Sequence, residues 1–321
     1  MSVSGRVASA PGPEVTTSGP GRAAGRNRPA RHANSSRWGA LGFISPAVLV
    51  VAGLLYAPFL YTVVLSFTEY DGLNSPRWVA LDNFKKFLDD PALSTSVRNT
   101  LMWVVGTTAV PVALGLLIAL LSFGIRGGTL LRLPFMLPYA LSGAGLAVIW
   151  GFILQNDGAA NDLLGFLHLP GAETSFLQEA PYNTIAMIVA MTWQQTGVNA
   201  LLFLVGIQSI PTSPIEAARL DGATGWRMFR HITWPLLGPL TTVVVGLSLV
   251  ASLKTFDIVW VTTQGGPGRS SETLAVTMYR DAFVSSEYGY GSAVALVLTL
   301  VTGAVTLAYL RYQIKGQESL R

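Results

Sequence analysis

Six apolar stretches, each long enough to cross a lipid bilayer, govern what this 321-residue chain can fold into. They run roughly over Leu41–Phe67, Asn99–Phe123, Leu130–Leu154, Asn183–Ile210, Pro239–Val261 and Gly291–Tyr312. An α-helix rises about 1.5 Å per residue, so about 20 residues cross ~30 Å of hydrocarbon. Lipid offers the backbone no hydrogen bonds, so each segment must satisfy its own. The expected fold class is therefore an all-α integral membrane protein with six transmembrane helices. Pro46, Pro58, Pro111 and Pro138 are compatible with this, because neighbouring helices can satisfy the carbonyls that a proline frees. Ser142, Gly143, Ala144 and Gly145 are small enough to let helices approach closely.

Composition narrows the chemistry. Half the residues are apolar and only 12% are charged, which points away from a soluble domain. There is no Cys, so disulfides and thiolate metal sites are excluded, and His32, His168 and His231 lie too far apart to read as a metal-ligand motif. No Gly-x-x-x-x-Gly-Lys-Ser/Thr loop is present to cradle ATP phosphates. Gly265-Gly266-Pro267-Gly268 lacks the Lys-Ser/Thr and reads as a turn. These absences argue against an enzyme. Arg outnumbers Lys by 17 to 4, which points to a GC-rich bacterial genome.

Residues 1–37 carry six Arg, one acid and no apolar periodicity. Such a stretch cannot bury enough surface to offset its ordering entropy, so it reads as a disordered basic tail ahead of a retained signal-anchor. Anionic membrane lipid is one partner for its charge. Residues 38–321 then form the transmembrane domain. With the N-terminus inside, the tail, the 124–129 turn with Arg132, the 211–238 loop and the C-terminus hold 14 basic residues and four acids. The outer loops then hold six basic residues and twelve acids, so an N-in, C-in, multi-pass arrangement in the cell membrane is expected. In those loops a short amphipathic helix is expected near Asp82–Asp89, with Phe84, Phe87 and Leu88 on one face, and Asn161 is expected in an open loop.

Polar groups inside spans mark a path or a partner. Gln194, Gln195 and Asn199 lie in span four; Ser248, Ser252, Lys254 and Asp257 lie in span five. Lys254 and Asp257 are three apart, hence on one helix face and able to pair. Gln194, Gln195, Asn199, Ser252, Lys254 and Asp257 are the candidate substrate-pathway residues, set against the plainer use as interhelical hydrogen bonds. Trp150 and Trp193 offer flat aromatic faces to a ring-shaped solute, though Trp more often anchors at interfaces.

Between spans four and five, Thr212 or Ser213 can cap a helix, with Pro214 in its first turn and Glu216 complementing its dipole. Gly222 and Gly225 end it, and a second helix is expected from about Trp226 to Ile232, stopped by Pro235. The stretch Glu216-Ala217-Ala218, three residues, Gly222, nine residues, Ile232, one residue, Trp234, Pro235 resembles the EAA loop of permease subunits of binding-protein-dependent ABC importers; only Trp234 departs, standing where Leu is usual. The resemblance extends over about residues 38–316 to the sugar-importer permeases, through Asn99-Thr100, Arg132, Leu133-Pro134, Ile149-Trp150, Gly158, Asn161, Trp193-Gln194-Gln195, Gly197, Lys254, Phe256-Asp257 and Gly265-Gly266-Pro267. It implies the type I ABC importer permease fold. It implies that Glu216, Ala217, Ala218, Asp221, Gly222, Ala223, Gly225, Ile232 and Pro235 couple to an ATPase. It also implies two copies of that ATPase subunit, holding the ATP and Mg while this chain binds no cofactor. A second, distinct permease would make a heterodimer, and an extracytoplasmic solute-binding protein would deliver a sugar; no nucleic acid is involved. A glycerol phosphate or similar polar solute is the alternative cargo. A membrane assembly protein without a transport cycle and a stand-alone secondary carrier are the rivals, and six spans without a recognisable inverted repeat disfavour the carrier.

Overall fold

The computed structural model describes residues 37–318; apart from Arg37, the basic tail lies outside the described residues. By internal contacts the chain divides into residues 1–54 and 55–321. In the first unit α1 (Arg37–Val51) is an apolar helix containing Pro46, followed by a wide π turn over Ala52–Tyr56. The architecture below is that of the second unit.

Here α2 (Ala57–Leu65) leads to a two-stranded hairpin, β1 (Thr68–Glu69) against β2 (Arg77–Trp78), with Thr68 opposite Trp78. This hairpin has no counterpart in the sequence reading. Asp71 accepts from the amides of Leu73 and Asn74 at 2.9 Å, the Asx-type bond that lets a short polar segment turn. Next comes α3 (Asp82–Asp89), where an amphipathic helix was expected. Its inward face is Asn83 and Phe87, with Phe84 half-buried; Leu88 points outward and is 70% exposed, so it does not share that face. Asn83 is the buried polar member because its Nδ2 donates to the carbonyls of Ser66 and Thr68.

The long α4 (Leu93–Ser122) and α8 (Tyr182–Gln208) are the axis of the unit. They run parallel and close: Gly106 faces Ile188, and Gly115 faces Asn199 and Ala200. Parallel neighbours require the chain between them to cross once. That segment is α5 (Gly128–Met136), a 3₁₀ turn (Leu137–Ala140) and α6 (Gly143–Ile153), bent by 106° where one continuous span was expected. The bend has a local cause. Pro138 donates no amide hydrogen bond, and the Ser142 Oγ accepts from the Gly145 amide at 3.1 Å, starting a new helix. Five helices of the described residues are long and apolar enough to cross a membrane, and the bent pair makes six.

After α6, α7 (Ala159–Phe166) packs the following loop. Asn161 is not in the open; it is 7% exposed and donates to the carbonyls of Ala172 (2.7 Å) and Thr174 (3.0 Å). Beyond α8 lie α9 (Thr212–Leu220), α10 (Gly225–Met228), a π turn (Phe229–Thr233), α11 (Trp234–Leu236), α12 (Gly238–Leu253) and α13 (Asp257–Thr262). Gly206 meets Leu237 and Leu240 at one end of α8, while Thr262 meets Met187 near the other, so α12 and α13 run antiparallel to α8. Finally α14 (Leu274–Tyr279), a π turn (Arg280–Val284) and α15 (Tyr288–Glu318) return to the α9 end. Gly289 approaches Thr68 and Tyr70 so closely that no Cβ fits.

The core follows α8. Trp103, Leu146, Met187, Ala190, Ile258 and Val276 are buried together toward the hairpin end, and Ala119, Phe203, Leu204, Ile207, Leu237 and Val244 toward the α9 end. Trp150 packs into the first cluster, edge-on to Trp193 at 6.0 Å, and the Trp193 Nε1 donates to the Pro134 carbonyl.

Candidate functional site

The loop after α8 is shaped by its backbone. α9 begins at Thr212 without a side-chain cap, so neither Thr212 nor Ser213 plays that part and Glu216 lies beyond the first turn. The helix ends on Gly222 at φ +75°: its amide donates to Arg219 O (3.0 Å), and the Ala223 amide to Ala218 O (2.9 Å). These two bonds are a Schellman motif, which requires a left-handed residue at that position. Gly225 is also left-handed, at φ +51°. A Cβ on Gly222 would meet nothing within 4 Å in this chain, so the glycine is demanded by its φ and not by internal crowding. Ala218 is buried while Glu216, Ala217, Asp221, Gly222, Gly225 and Pro235 are exposed, and Ala223 and Ile232 are intermediate.

Pro235 does not stop the second helix. The π turn over Phe229–Thr233 widens the ladder just ahead of it, and helix continues through Leu236 toward α12. A proline lacks the N–H that would bond one turn back, and a local π adjustment is one way a helix accommodates it. Leu220 is 90% exposed and Trp226 69%, a pair of large apolar side chains on a polar loop that the sequence reading passed over. Their signal was present: both lie outside the apolar spans and beside the two glycines.

In the membrane region the structure brings Gln194, Gln195 and Asn199 to one cavity of about 510 Å³, completed by Tyr139, Leu141, Val198, Leu202, Leu247, Ser248 and Ala251. Gln194 Nε2 donates to the Leu141 carbonyl at 2.9 Å, an acceptor freed by the break before α6. Asn199 is 4% exposed, and its buried Nδ2 has no hydrogen-bond partner among the described residues. A buried amide left in that state costs about 1–3 kcal/mol, and its burial keeps the Nδ2 itself out of contact with the cavity space. Tyr139 was missed because the bend that exposes it was not anticipated.

Ser252, Lys254 and Asp257 do not line this cavity. Ser252 is buried, its Oγ donating to Leu249 O at 2.8 Å. Lys254 and Asp257 form no ion pair in the structure, because α12 ends at Leu253 and α13 starts at Asp257, so the two do not share one helix. Asp257 instead packs against Gly143 at the start of α6.

At the hairpin end, Asn99 Nδ2 donates to the carbonyls of Ser270 (2.8 Å) and Glu272 (2.9 Å), and Thr100 Oγ1 accepts from the Leu274 amide (3.1 Å). This pair ties α4 to the loop before α14. The fully buried Glu272 is bound by Arg269 at 2.6 Å, and Arg269 also bridges to Asp90. The bond to Glu272 raises the Arg269 pKa further. Burial pushes the Asp281 carboxyl up to about 6 against the pull of Arg269, and its Oδ2 has no partner among the described residues. No group of three metal-ligating side chains occurs among the described residues. At the α9 end Arg132 donates to the Ser122 hydroxyl (2.8 Å) and carbonyl (3.0 Å), closing the C-terminus of α4.

Comparison with known proteins places this geometry. Residues 111–316 match the family described as "binding-protein-dependent transport system inner membrane component". The permease for uptake of osmoprotective compounds from Synechocystis is 35% identical over 87% of this chain and 100% of its own. A multiple sugar-binding transport system permease from Streptococcus mutans is 34% identical over 85% of this chain and 94% of its own. Among solved structures, a chain of a bacterial ABC transporter for import of the acidic polysaccharide alginate shares the fold, with TM-score 0.76 and 20% identity, covering 88% of this chain and 97% of that one. Membrane-length helices, a glycine-terminated loop helix and a cavity holding three amide side chains thus occur in a chain that belongs to the family of inner-membrane components of binding-protein-dependent transport systems, as a multi-pass ABC importer permease subunit of the cell membrane.

Proposed function

We propose that this subunit passes a sugar across the membrane through the cavity of Gln194, Gln195 and Asn199. The observation that carries the reading is the convergence of three amide side chains, Gln194, Gln195 and Asn199, with Ser248 on one cavity. Amide and hydroxyl groups there match sugar hydroxyls, and Leu141, Val198 and Leu202 match the apolar faces of a ring. The relative named for multiple sugar binding supports the same cargo. No Asp, Glu, Lys or Arg lines the cavity, which favours an uncharged sugar over a glycerol phosphate. Ser252, Lys254 and Asp257 then act beside the path.

ATP hydrolysis belongs to a separate subunit, so this chain is not itself an enzyme. In the proposed assembly two ATPase copies hold ATP and Mg, a second and distinct permease completes the path, and an extracytoplasmic binding protein delivers the sugar. The 211–238 loop docks in the ATPase cleft: Glu216 meets a basic residue, Ala217 permits close approach, and Leu220 and Trp226 supply the apolar contact. Closure of the ATPases moves the two permease cores as rigid bodies and switches access. Residues 38–321 act as one transmembrane domain with N-in, C-in orientation, and the basic tail meets anionic lipid from the cytoplasm.

Two results test these statements. Asn199→Leu should lower uptake by proteoliposomes containing the complete importer, while assembly and stimulated ATP hydrolysis persist; Gln194→Leu should also impair assembly, since it orphans the Leu141 carbonyl. Uptake unchanged in Asn199→Leu would take the cavity out of the path. For orientation, the absence of cysteine allows single-cysteine labelling without background. The exposed Asp162 in α7, replaced by Cys, should react with an impermeant reagent in intact cells, and Thr224→Cys only after the membrane is opened. Labelling of Thr224→Cys from outside would reverse the topology.

A further inference from the structure

Between α9 and the first turn of α12 runs a strip of three aromatic rings beside two arginines. Trp226, in α10, lies 5.2 Å from Phe229, and Phe229 lies 6.0 Å from Trp234. Five residues separate the second pair, a spacing that would carry Trp234 off the face of an α-helix with about 3.6 residues per turn. The π turn corrects this: the Trp234 amide donates to the Phe229 carbonyl, five residues back, and the two rings stay in one file. Trp234 is 43% exposed and Phe229 half-buried. Arg227 and Arg230 are exposed and form no ion pair among the described residues. The chain carries no Asp or Glu between Asp221 and Asp257, so no acid within the segment neutralises them.

Neighbouring helices fix the level of the strip. Leu237 is 1% exposed and packs with Phe203, Leu204 and Ile207 of α8, whose last residue is Gln208. The membrane-length segment that contains α12 begins at Gly238. The Leu237 amide donates to the Thr233 carbonyl at 2.9 Å, so the same helical ladder carries Trp234 just beyond that core. Three residues at about 1.5 Å each place it about 4.5 Å out, within a headgroup layer of roughly 5–8 Å per side. Trp226 lies up to about 16 Å out and stays with the ATPase contact proposed above. Indole is apolar in body and polar at its N–H, so tryptophan settles at headgroup level. Guanidinium groups hold phosphate oxygens through paired N–H donors.

We propose that Phe229 and Trp234, with Arg227 and Arg230, form a binding site for the phosphate headgroup of anionic phospholipid. The site is independent of the sugar reading; only the identity of the leaflet rests on the N-in orientation above. The test places the complete importer in phosphatidylcholine bilayers, with and without its ATPase subunits, and adds phosphatidylglycerol or phosphatidylcholine brominated on the acyl chains. The fluorescence difference between wild type and Trp234→Phe isolates the Trp234 signal. Brominated phosphatidylglycerol should half-quench that signal at a mole fraction on the order of tenfold lower than brominated phosphatidylcholine, whether or not the ATPase is bound. Arg227→Gln with Arg230→Gln should bring the two lipids level, while lysine at both positions should keep most of the preference. Equal quenching by the two lipids in wild type would make Trp234 an interfacial anchor without headgroup selectivity. No quenching would put the ring outside the bilayer, and quenching that appears only once the ATPase is removed would give the strip to that partner. Each of these three results overturns the lipid site. The wild-type comparison needs no arginine variant, so a variant that fails to fold leaves the outcome decided.

Discussion

Gly222→Asp is expected to abolish transport while leaving membrane insertion and pairing with the proposed second permease unchanged. The residue stands at φ +75° with open space around it, in the loop between α8 and α12. Aspartate is among the side chains that tolerate the left-handed region, so the loop itself should survive with a cost of roughly 1 kcal/mol. The damage arises where the proposed ATPase surface closes over the loop. An unpaired charge buried in an interface costs about 2–5 kcal/mol, and at about 1.4 kcal/mol per factor of ten this is on the order of a hundredfold weaker docking. Stimulated ATP hydrolysis should fall together with uptake. Gly222→Asn separates charge from bulk and should lie between aspartate and wild type. Glu216→Ala should act in the same direction but more mildly, because it removes one charge-assisted contact of about 1.5–3 kcal/mol. Reconstituted Gly222→Asp complexes that couple hydrolysis to uptake at the wild-type rate would sink the docking assignment.

Gly197→Ala should fail earlier, at assembly of the membrane domain. A Cβ at Gly197 would overlap the Phe135 carbonyl oxygen, lie 2.7 Å from its carbon and come within 3.1 Å of the Met136 Cα. All three are backbone atoms at the end of α5, so no rotamer relieves the clash. Overpacking costs about 1–3 kcal/mol, and a backbone obstacle places this case at the upper end. Moving α5 and the turn that follows it also pulls the Pro134 and Leu141 carbonyls away from Trp193 and Gln194, which now satisfy them. Gly246 is the control: a Cβ there meets Tyr309 at an ordinary 3.7 Å, and alanine is the better helix former by about 1 kcal/mol. Thermal unfolding of the purified permease in detergent should show Gly197→Ala strongly destabilised and Gly246→Ala unchanged or improved. Equal melting of the two variants would show that the α5–α8 crossing is not held by that glycine.

The contrast between these glycines shows how far local sequence reaches. Gly222 was legible, since a helix former run ending in Gly-Ala specifies a Schellman terminus from backbone geometry alone. Gly197 was noticed only through resemblance, because its reason is an α5 backbone more than fifty residues away. The broken third span was half legible: Pro138 and Ser142 are a stop and a cap, yet both also fit an unbroken membrane helix. Lys254 and Asp257 misled, since their spacing pairs them only if helix runs through Thr255. Asn161 misled in the same way, because a polar residue in a loop reads as solvated until Ala172 and Thr174 turn their carbonyls toward it.

What the sequence determined by itself was the class of the molecule: helices crossing lipid, a polar loop with a glycine hinge, and no phosphate-binding loop. These follow from backbone hydrogen bonds that lipid cannot supply and from φ preferences of single residues, both local in the chain. The tertiary structure decided which polar groups face one void. Gln194, Gln195 and Asn199 meet Tyr139 and Ser248 there, while Ser252, Lys254 and Asp257 do not. That choice depends on where α5 bends and where α12 breaks, and a bend moves every later side chain to a new face. Hydropathy sums over such a break without registering it, so only the packing of the helices separates a cavity wall from a buried turn.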